Sequence, residues 1–478
     1  MTHCCLKHAY PTATERLNRR AVLFACVISC LTVTQLAWGV NKGTSRNRPV
    51  APCHLIQVDF DDTTTANAAK NYQKALGQVL AEDRFDDLDC LADSLRQNKT
   101  TFPSGVWKLR ALYWGISEPQ GHATPEDWTE FLDRLNRWIT AKPNSITARV
   151  ALAKAYAAYA WVARGQDSAD SVTANGWKQF SGRTSQAKQV LDDASKLTGK
   201  CPEWYFAMQQ VAMAQQWDKT QAVNLLQQAI AFEPTYYAYY RRHADYLQPM
   251  WFGKEGEAAK FAALSADRVG GENGDVLYFQ MASNICHCDE EPLVEQMSWP
   301  RIQKGFAALE QQNGPSISNL NLLAYMALKI ADPAVAEDAF KRIGDRRDAD
   351  VFQDQSYFDE SKTWATQVAP TFRWHQQVVD LAGKATQTPA GRQYNETFEK
   401  QFSGPLQQCV QGAPADLGKF EILVSINQDG VINYLQSPEA LIKCLHPFYG
   451  KAVTVPPASP YWIKIDVDPT MLTSTAAN

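Results

Sequence analysis

The chain has 478 residues, 45% hydrophobic and 21% charged, enough for roughly two to four domains and for a core that needs neither disulfides nor metals. Forty-seven basic against 51 acidic residues leave a net charge of −4, which excludes a general phosphate-binding surface and with it nucleic acid as a partner. With 11% aromatics it is not a mostly disordered chain, its 11 cysteines are too sparse for a disulfide scaffold, and it carries no nucleotide loop, zinc-protease motif or serine elbow.

Residues 1–20 carry Lys7, Arg16, Arg19 and Arg20 against Glu15, and an uncharged apolar run of 18 residues follows, from Ala21 to Trp38. A basic start before an apolar run is the pattern of an export signal. Ala37 and Gly39 place small residues at −3 and −1 of a cut after Gly39. The same run is just long enough to span a bilayer, so residues 1–39 read as a signal peptide or as an inner-membrane anchor through residues 21–38. Val27-Ile28-Ser29-Cys30 has the form of a lipoprotein cleavage box, although apolar sequence continues beyond Cys30. A cytosolic core helix is the remaining reading. Seven cysteines follow residue 39, an odd number, and an exported location permits disulfides among them.

Residues 40–65 read as a linker, with Pro49, Pro52 and a Thr run. From 66 to 382 apolar residues recur at helical spacing, as in Leu76, Val79, Leu80, Phe85, Leu88, Leu91 and Leu95. Clusters at Phe102–Gly105, Pro119–Gly121 and Gly270–Gly274 mark loops. Ala187, Leu191 and Ala194 recur 35 positions later as Ala222, Leu226 and Ala229, with Pro202 and Pro234 after each set. Ala324, Ala327, Ala336, Ala339 and Phe340 form a weaker copy. This is close to the tetratricopeptide period of about 34. Small alanines let paired helices approach, and the proline ends each pair. The expected fold is therefore mainly α, a tetratricopeptide-like helical solenoid or bundle, followed by a small C-terminal α+β module.

Residues 383–400 read as a second linker and 401–470 as the module. Phe420–Asn427 alternates like a strand, Asp429-Gly430 signals a turn, and Val431–Leu435 returns as the partner strand. Pro438–Leu445 suits a helix and Tyr461–Val467 a last strand.

Few constellations carry chemistry. Cys286-His287-Cys288 supplies three donors on adjacent residues, short of a four-ligand zinc site, so no metal and no cofactor is expected. Cys409 and Cys444 are candidates for a disulfide that would brace the module. Tyr236, Tyr237, Tyr239, Tyr240, Arg241, Arg242 and His243 combine aromatics with bases. One helix face of that run must pack inside, and the other could line a groove for a peptide or glycan. Trp161 and Arg164 share a helix face, with Asp167 or Asp170 as ion-pair partners for the arginine. Candidate groove residues are thus Trp161, Arg164, Tyr236, Tyr237, Tyr240, Arg241 and Trp251. The acid cluster Asp59–Asp62 reads as solvated charge, and Gly270–Asp275 as a turn lacking the order of a calcium loop. No Ser, His and Asp set has a recognisable local context, so no catalytic residue is assigned.

Two resemblances rest on these residues. Phe420–Ile426, Asp429-Gly430-Val431, Cys444-Leu445, Val455-Pro456-Pro457 and Trp462–Ile465 resemble the C-terminal domain of TonB-type envelope proteins. That likeness implies docking against other envelope proteins, often by strand pairing, although the long proline-rich spacer of that family is missing here. Phe85–Asp89, Gly105–Leu109, Tyr159–Gly165, Gly176-Trp177, Trp217-Asp218, Glu233-Pro234, Tyr236-Tyr237 and Trp251-Phe252-Gly253 are similar to a bacterial family catalogued as domain of unknown function four-zero-three-four, over about residues 70–290. It implies a helical-repeat fold and no particular activity. The expectation is an exported protein, periplasmic or secreted or anchored facing the periplasm, that binds another envelope protein or a peptide without catalysis. The alternative is a hydrolase of cell-wall or extracellular glycan or peptide held in the aromatic groove.

Overall fold

The computed structural model describes residues 68–121, 123–165, 169–288, 297–412, 417–427, 429–454 and 461–468. The segments read as a signal or anchor (1–39) and as a linker (40–65), the Asp59–Asp62 cluster, Asp167 and Val455-Pro456-Pro457 lie outside them. The described residues are mainly helical, 71% of them in helix and 17 α-helices among them, with one small three-stranded antiparallel sheet near the C-terminus. It divides into two units. The first runs to Ile330 and adds Ala339–Phe358; the second is Ala331–Asp338 with the chain from Asp359 onward.

The helical unit is built from α1 (Ala68–Ala81), α2 (Phe85–Asn98), α3 (Lys108–Gly115), α4 (Pro125–Ala141), α5 (Ile146–Arg164), α6 (Ala174–Ser195), α7 (Pro202–Ala214), α8 (Lys219–Phe232), α9 (Ala238–Tyr246), α10 (Glu257–Val269), α11 (Gly271–Cys288), α12 (Trp299–Asn313) and α13 (Ile317–Lys329). Local chemistry sets many of the starts. Thr124 with Asp127, and Asp218 with Gln221, close reciprocal capping boxes, while Ser145, Thr173 and Ser316 accept from the backbone of the following turn. Each such cap is worth about 1 kcal/mol.

Helix α5 buries Ala148, Ala151, Ala153, Ala155, Ala157 and Ala160, and α6 packs along it. Their crossing is tight: a Cβ on Gly176 would come within 2.8 Å of the Ala163 carbonyl oxygen. The repeat residues Ala187, Leu191, Ala194, Ala222, Leu226 and Ala229 are all buried, as helix pairing requires. Ala187 and Leu191 join Ala153, Ala157, Ala207, Met208, Val211, Ala212 and Leu225 in one core.

The glycine run read as a loop is only partly one. Gly270, with φ of 74°, caps α10, and the rest opens α11. The reason is packing: a Cβ on Gly274 would lie 2.2 Å from the Ala266 carbonyl oxygen, so glycine here serves a close approach of α10 and α11.

Helix α14 (Pro333–Ile343) and the long α15 (Gln355–Thr386) both cross the unit boundary. In the second unit α16 (Pro389–Gln411) precedes β1 (Phe420–Ile426), β2 (Ile432–Gln436), α17 (Glu439–Leu445) and β3 (Tyr461–Val467). Residues 383–400, read as a linker, are thus the end of α15 and half of α16. Thr388 caps α16 with Pro389 at its first position, and Phe398 and Phe402 enter the core of the unit. The Thr-Pro-Ala-Gly composition that signals a linker is here a helix start.

The sheet order is β2-β1-β3. Strand β1 pairs β3 in unbroken register from Phe420↔Val467 to Ile426↔Tyr461, and pairs β2 with a bulge at Ser425/Ile426. Gly430, with φ of 76°, turns the β1–β2 connection. One sheet face carries Ile422, Val424, Ile463 and Tyr461 against Phe398 and Phe402 of α16, Leu441 and Leu445 of α17, and Phe448. On the opposite face Trp374 of α15 meets Tyr434 at 5.3 Å and Trp462 at 5.9 Å between ring centroids. Cys409 of α16 and Cys444 of α17 form a disulfide. Among the described residues no helix is long and apolar enough to cross a membrane.

Candidate functional site

Two side-chain clusters stand out in the helical unit. The first is aromatic. The Trp161 ring meets Phe180 at 5.1 Å and Trp251 at 5.8 Å, and Phe180 meets Trp177 at 5.7 Å. The Arg164 guanidinium carbon lies 5.8 Å from the Trp161 ring, and its Nη1 donates to the Gly165 carbonyl. Trp177 is 38% exposed. The structure therefore brings together Trp161 and Arg164 from the end of α5 and Trp251 from the turn between α9 and α10.

The tyrosine run goes elsewhere. Tyr236, Tyr239 and Tyr240 are buried, and Tyr236 packs its ring on Trp107 at 4.9 Å. Tyr236 and Tyr240 were expected as groove residues; they are core, because α9 is short and is covered by neighbouring helices. Tyr237 is half-buried against Tyr240, and Arg241 donates to Asn284 Oδ1 at 3.4 Å.

The second cluster is a buried polar centre. Glu203 occupies the first turn of α7 after Pro202, a helix start that favours an anion, and it is fully buried. Its carboxylate accepts from Arg110 Nη1 at 3.0 Å, from Lys154 Nζ at 2.5 Å and from the Tyr236 hydroxyl. Burial pushes the Glu203 carboxyl up, but Lys154 and Arg110 outweigh it and hold it below the usual carboxylate range. Burial also draws the Lys154 ammonium down, opposed by the Glu203 carboxylate beside it. Beside it, the buried Cys201 sulfur lies 3.3 Å from the Tyr113 hydroxyl and 3.8 Å from Arg96 Nη1. Arg96 also bonds Thr147 Oγ1 at 3.2 Å.

Sequence reasoning missed this centre because its members sit on α3, α5, α7 and the turn before α9. One signal was available. Lys154 stands alone in the apolar stretch Val150–Ala160 of a helix buried nearly all round, and such a lysine requires a carboxylate partner.

His243 is 4% exposed, stacked on Tyr246 and edge-on to Phe261. Burial, with Lys219 nearby and only Glu257 opposing, lowers its pKa from 6.5 to about 4. A depressed histidine is neutral in the fold and protonated in the unfolded chain below pH 6.5. Its stability contribution is whole above 6.5 and is lost as the pH falls toward 4, a change of about 3 kcal/mol. His243→Phe should flatten the pH dependence of urea midpoints between 6.5 and 4 relative to wild type. An unchanged slope would overturn this account.

Among the described residues no group of three or more His, Cys, Asp or Glu side chains could hold a metal ion. Cys286 is buried near the end of α11; the His287 and Cys288 side chains lie outside the described residues. Besides Cys409–Cys444, Cys90 is disulfide-bonded. Compared with known proteins, the chain matches no family model, no curated protein and no solved structure.

Proposed function

We propose that this is an exported cell-envelope protein of the helical-repeat and TonB-like kind its motifs resemble, and that it works by binding another polypeptide, without catalysis. The disulfides support an oxidising location, since such bonds rarely persist in the cytosol. The observation that carries the binding reading is the outer edge of β3. Ile432 exchanges backbone bonds with Gly450 and Lys451, so its neighbour Ile426 turns its own backbone groups toward β3. Alternation then directs the backbone N–H and C=O of Trp462, Lys464 and Asp466 away from the sheet, and among the described residues no strand pairs with them. An edge of this kind is a template for an added strand.

Lys464→Pro tests it. Proline there removes an outward N–H and leaves the β1–β3 ladder intact. The Lys464 ion pairs with Asp466 and Glu421 are partly exposed and worth little. A photo-crosslinker at Trp462, used in the native envelope, should trap a discrete partner in the wild type and none in the proline variant, with the melting transition of the C-terminal unit nearly unmoved. Ile463→Pro, which breaks the ladder, should shift that transition strongly. No crosslinked partner, or one indifferent to Lys464→Pro, would overturn the proposal.

A further inference from the structure

Phe206 of α7 is ringed by cations. The Arg110 guanidinium carbon is 3.7 Å from the ring centroid, the Lys154 ammonium 5.1 Å and the Arg242 guanidinium carbon 5.8 Å. Arg110 also lies 4.7 Å from the Trp114 ring. Two carboxylates answer them directly: Glu203 beneath Arg110 and Lys154, and Asp245 at 3.3 Å from Arg242 Nη1. Glu118, which is exposed, reaches Lys154 only through its field. Arg241 adds a further positive charge beside Asp245.

The hydrogen bonds are incomplete in both senses. Arg110 and Arg242 each commit one Nη1 to a carboxylate. The remaining nitrogens of both have no partner among the described residues, and Arg242 Nε is buried in that state. Gln209 stands one turn after Phe206 and is 7% exposed. It donates to the Tyr239 carbonyl at 3.2 Å and leaves its Oε1 buried without a partner. Tyr239 is one turn before Arg242, so the amide and the guanidinium share the seam between α7 and α9. The seam opens to solvent at Arg110 and Arg242, whose side chains are each 15% exposed. Buried polar atoms in native proteins find partners. Guanidinium nitrogens need an acceptor, and the Gln209 oxygen needs a donor.

We propose that the seam at Phe206 binds an acidic segment of a partner polypeptide, a carboxylate taking the spare faces of Arg110 and Arg242. The positive excess around Phe206 supplies the complementarity, and two guanidinium forks suit a planar carboxylate. This inference rests on the reading of the protein as a polypeptide binder, but it sits in the helical unit. The Lys464→Pro variant should leave it untouched, so the two can fail separately.

The probes are fluorescein-labelled tetraglutamate and tetraglutamine peptides, each with an amidated C-terminus, titrated by anisotropy against the full oxidised chain. Tetraglutamate should bind saturably and weaken as salt is raised, and tetraglutamine should bind at least about tenfold more weakly. Arg242→Gln should lose about tenfold or more in tetraglutamate affinity. Arg242→Lys keeps the charge and guards against a folding defect; it should fall between the two because it lacks the fork. Lys178→Gln, on an exposed face of α6, should change nothing. Equal binding of the two peptides, no saturable binding, or affinity indifferent to both Arg242 variants would overturn the proposal.

Discussion

Glu203→Gln should unfold the helical unit more readily than any substitution on its surface. The carboxylate is fully buried and holds Lys154, Arg110 and Tyr236 at once. An amide of the same shape keeps one acceptor oxygen but turns an NH2 toward two cations, and it leaves Lys154, 5% exposed, without its counter-charge. Removing one partner of a buried ion pair costs about 3–5 kcal/mol. Urea denaturation followed by hydrogen exchange in α5 and α7 would measure it. The companion experiment is Glu203→Gln with Lys154→Met. If the loss comes from a stranded ammonium, the double variant recovers more than about 1 kcal/mol relative to the sum of the singles. A Glu203→Gln variant within about 1 kcal/mol of wild type would refute the centre as a stability element. The acid response has a fixed sign. Because the folded carboxyl lies below its ordinary value of 4.5, its contribution is in place above pH 4.5 and is lost as the pH falls through the folded value.

Opening the Cys409–Cys444 disulfide should weaken the C-terminal unit by a similar amount. The bond closes a separation of 35 residues between α16 and α17. Loop-closure entropy for that length corresponds to about 4 kcal/mol. The three strands and their covering helices form a small core that profits from such a brace. Cys409→Ala with Cys444→Ala should lower the calorimetric transition of that unit while leaving the helical unit's transition in place, and protease should cut the variant chain near β2 and α17 first. A shift of less than about 1 kcal/mol would mean that Phe398, Phe402, Leu441 and Leu445 hold the helices together without the bond. The two transitions must be followed separately, since a two-unit chain has no single unfolding free energy.

What the sequence determined by itself was local or periodic. Alanines at helical spacing, paired with a proline stop, announced close-packed helix pairs, and Ala187, Leu191, Ala194, Ala222, Leu226 and Ala229 are all buried. The alternation in Phe420–Ile426 and Tyr461–Val467, with Asp429-Gly430 between β1 and β2, announced a sheet. Each of these signals is written within a turn or two of chain, where propensity, capping and side-chain period act. Local composition misled where tertiary packing used the same residues differently. The glycines after Gly270 serve a helix crossing at Ala266, and Thr388-Pro389 opens a helix inside an expected linker.

The functional clusters were decided only by the tertiary structure. Glu203 meets Arg110 across 93 residues, Lys154 across 49 and Tyr236 across 33; no local pattern encodes such meetings. The tyrosine run shows the same limit from the other side. Its aromatic and basic composition suits a groove, but the packing around α9 buries Tyr236, Tyr239 and Tyr240 and leaves Arg242 to the seam with α7. Which face of a short helix is covered depends on the helices that cross it. Burial and charge pairing depend on that third dimension, whereas helix and strand depend mainly on neighbours along the chain.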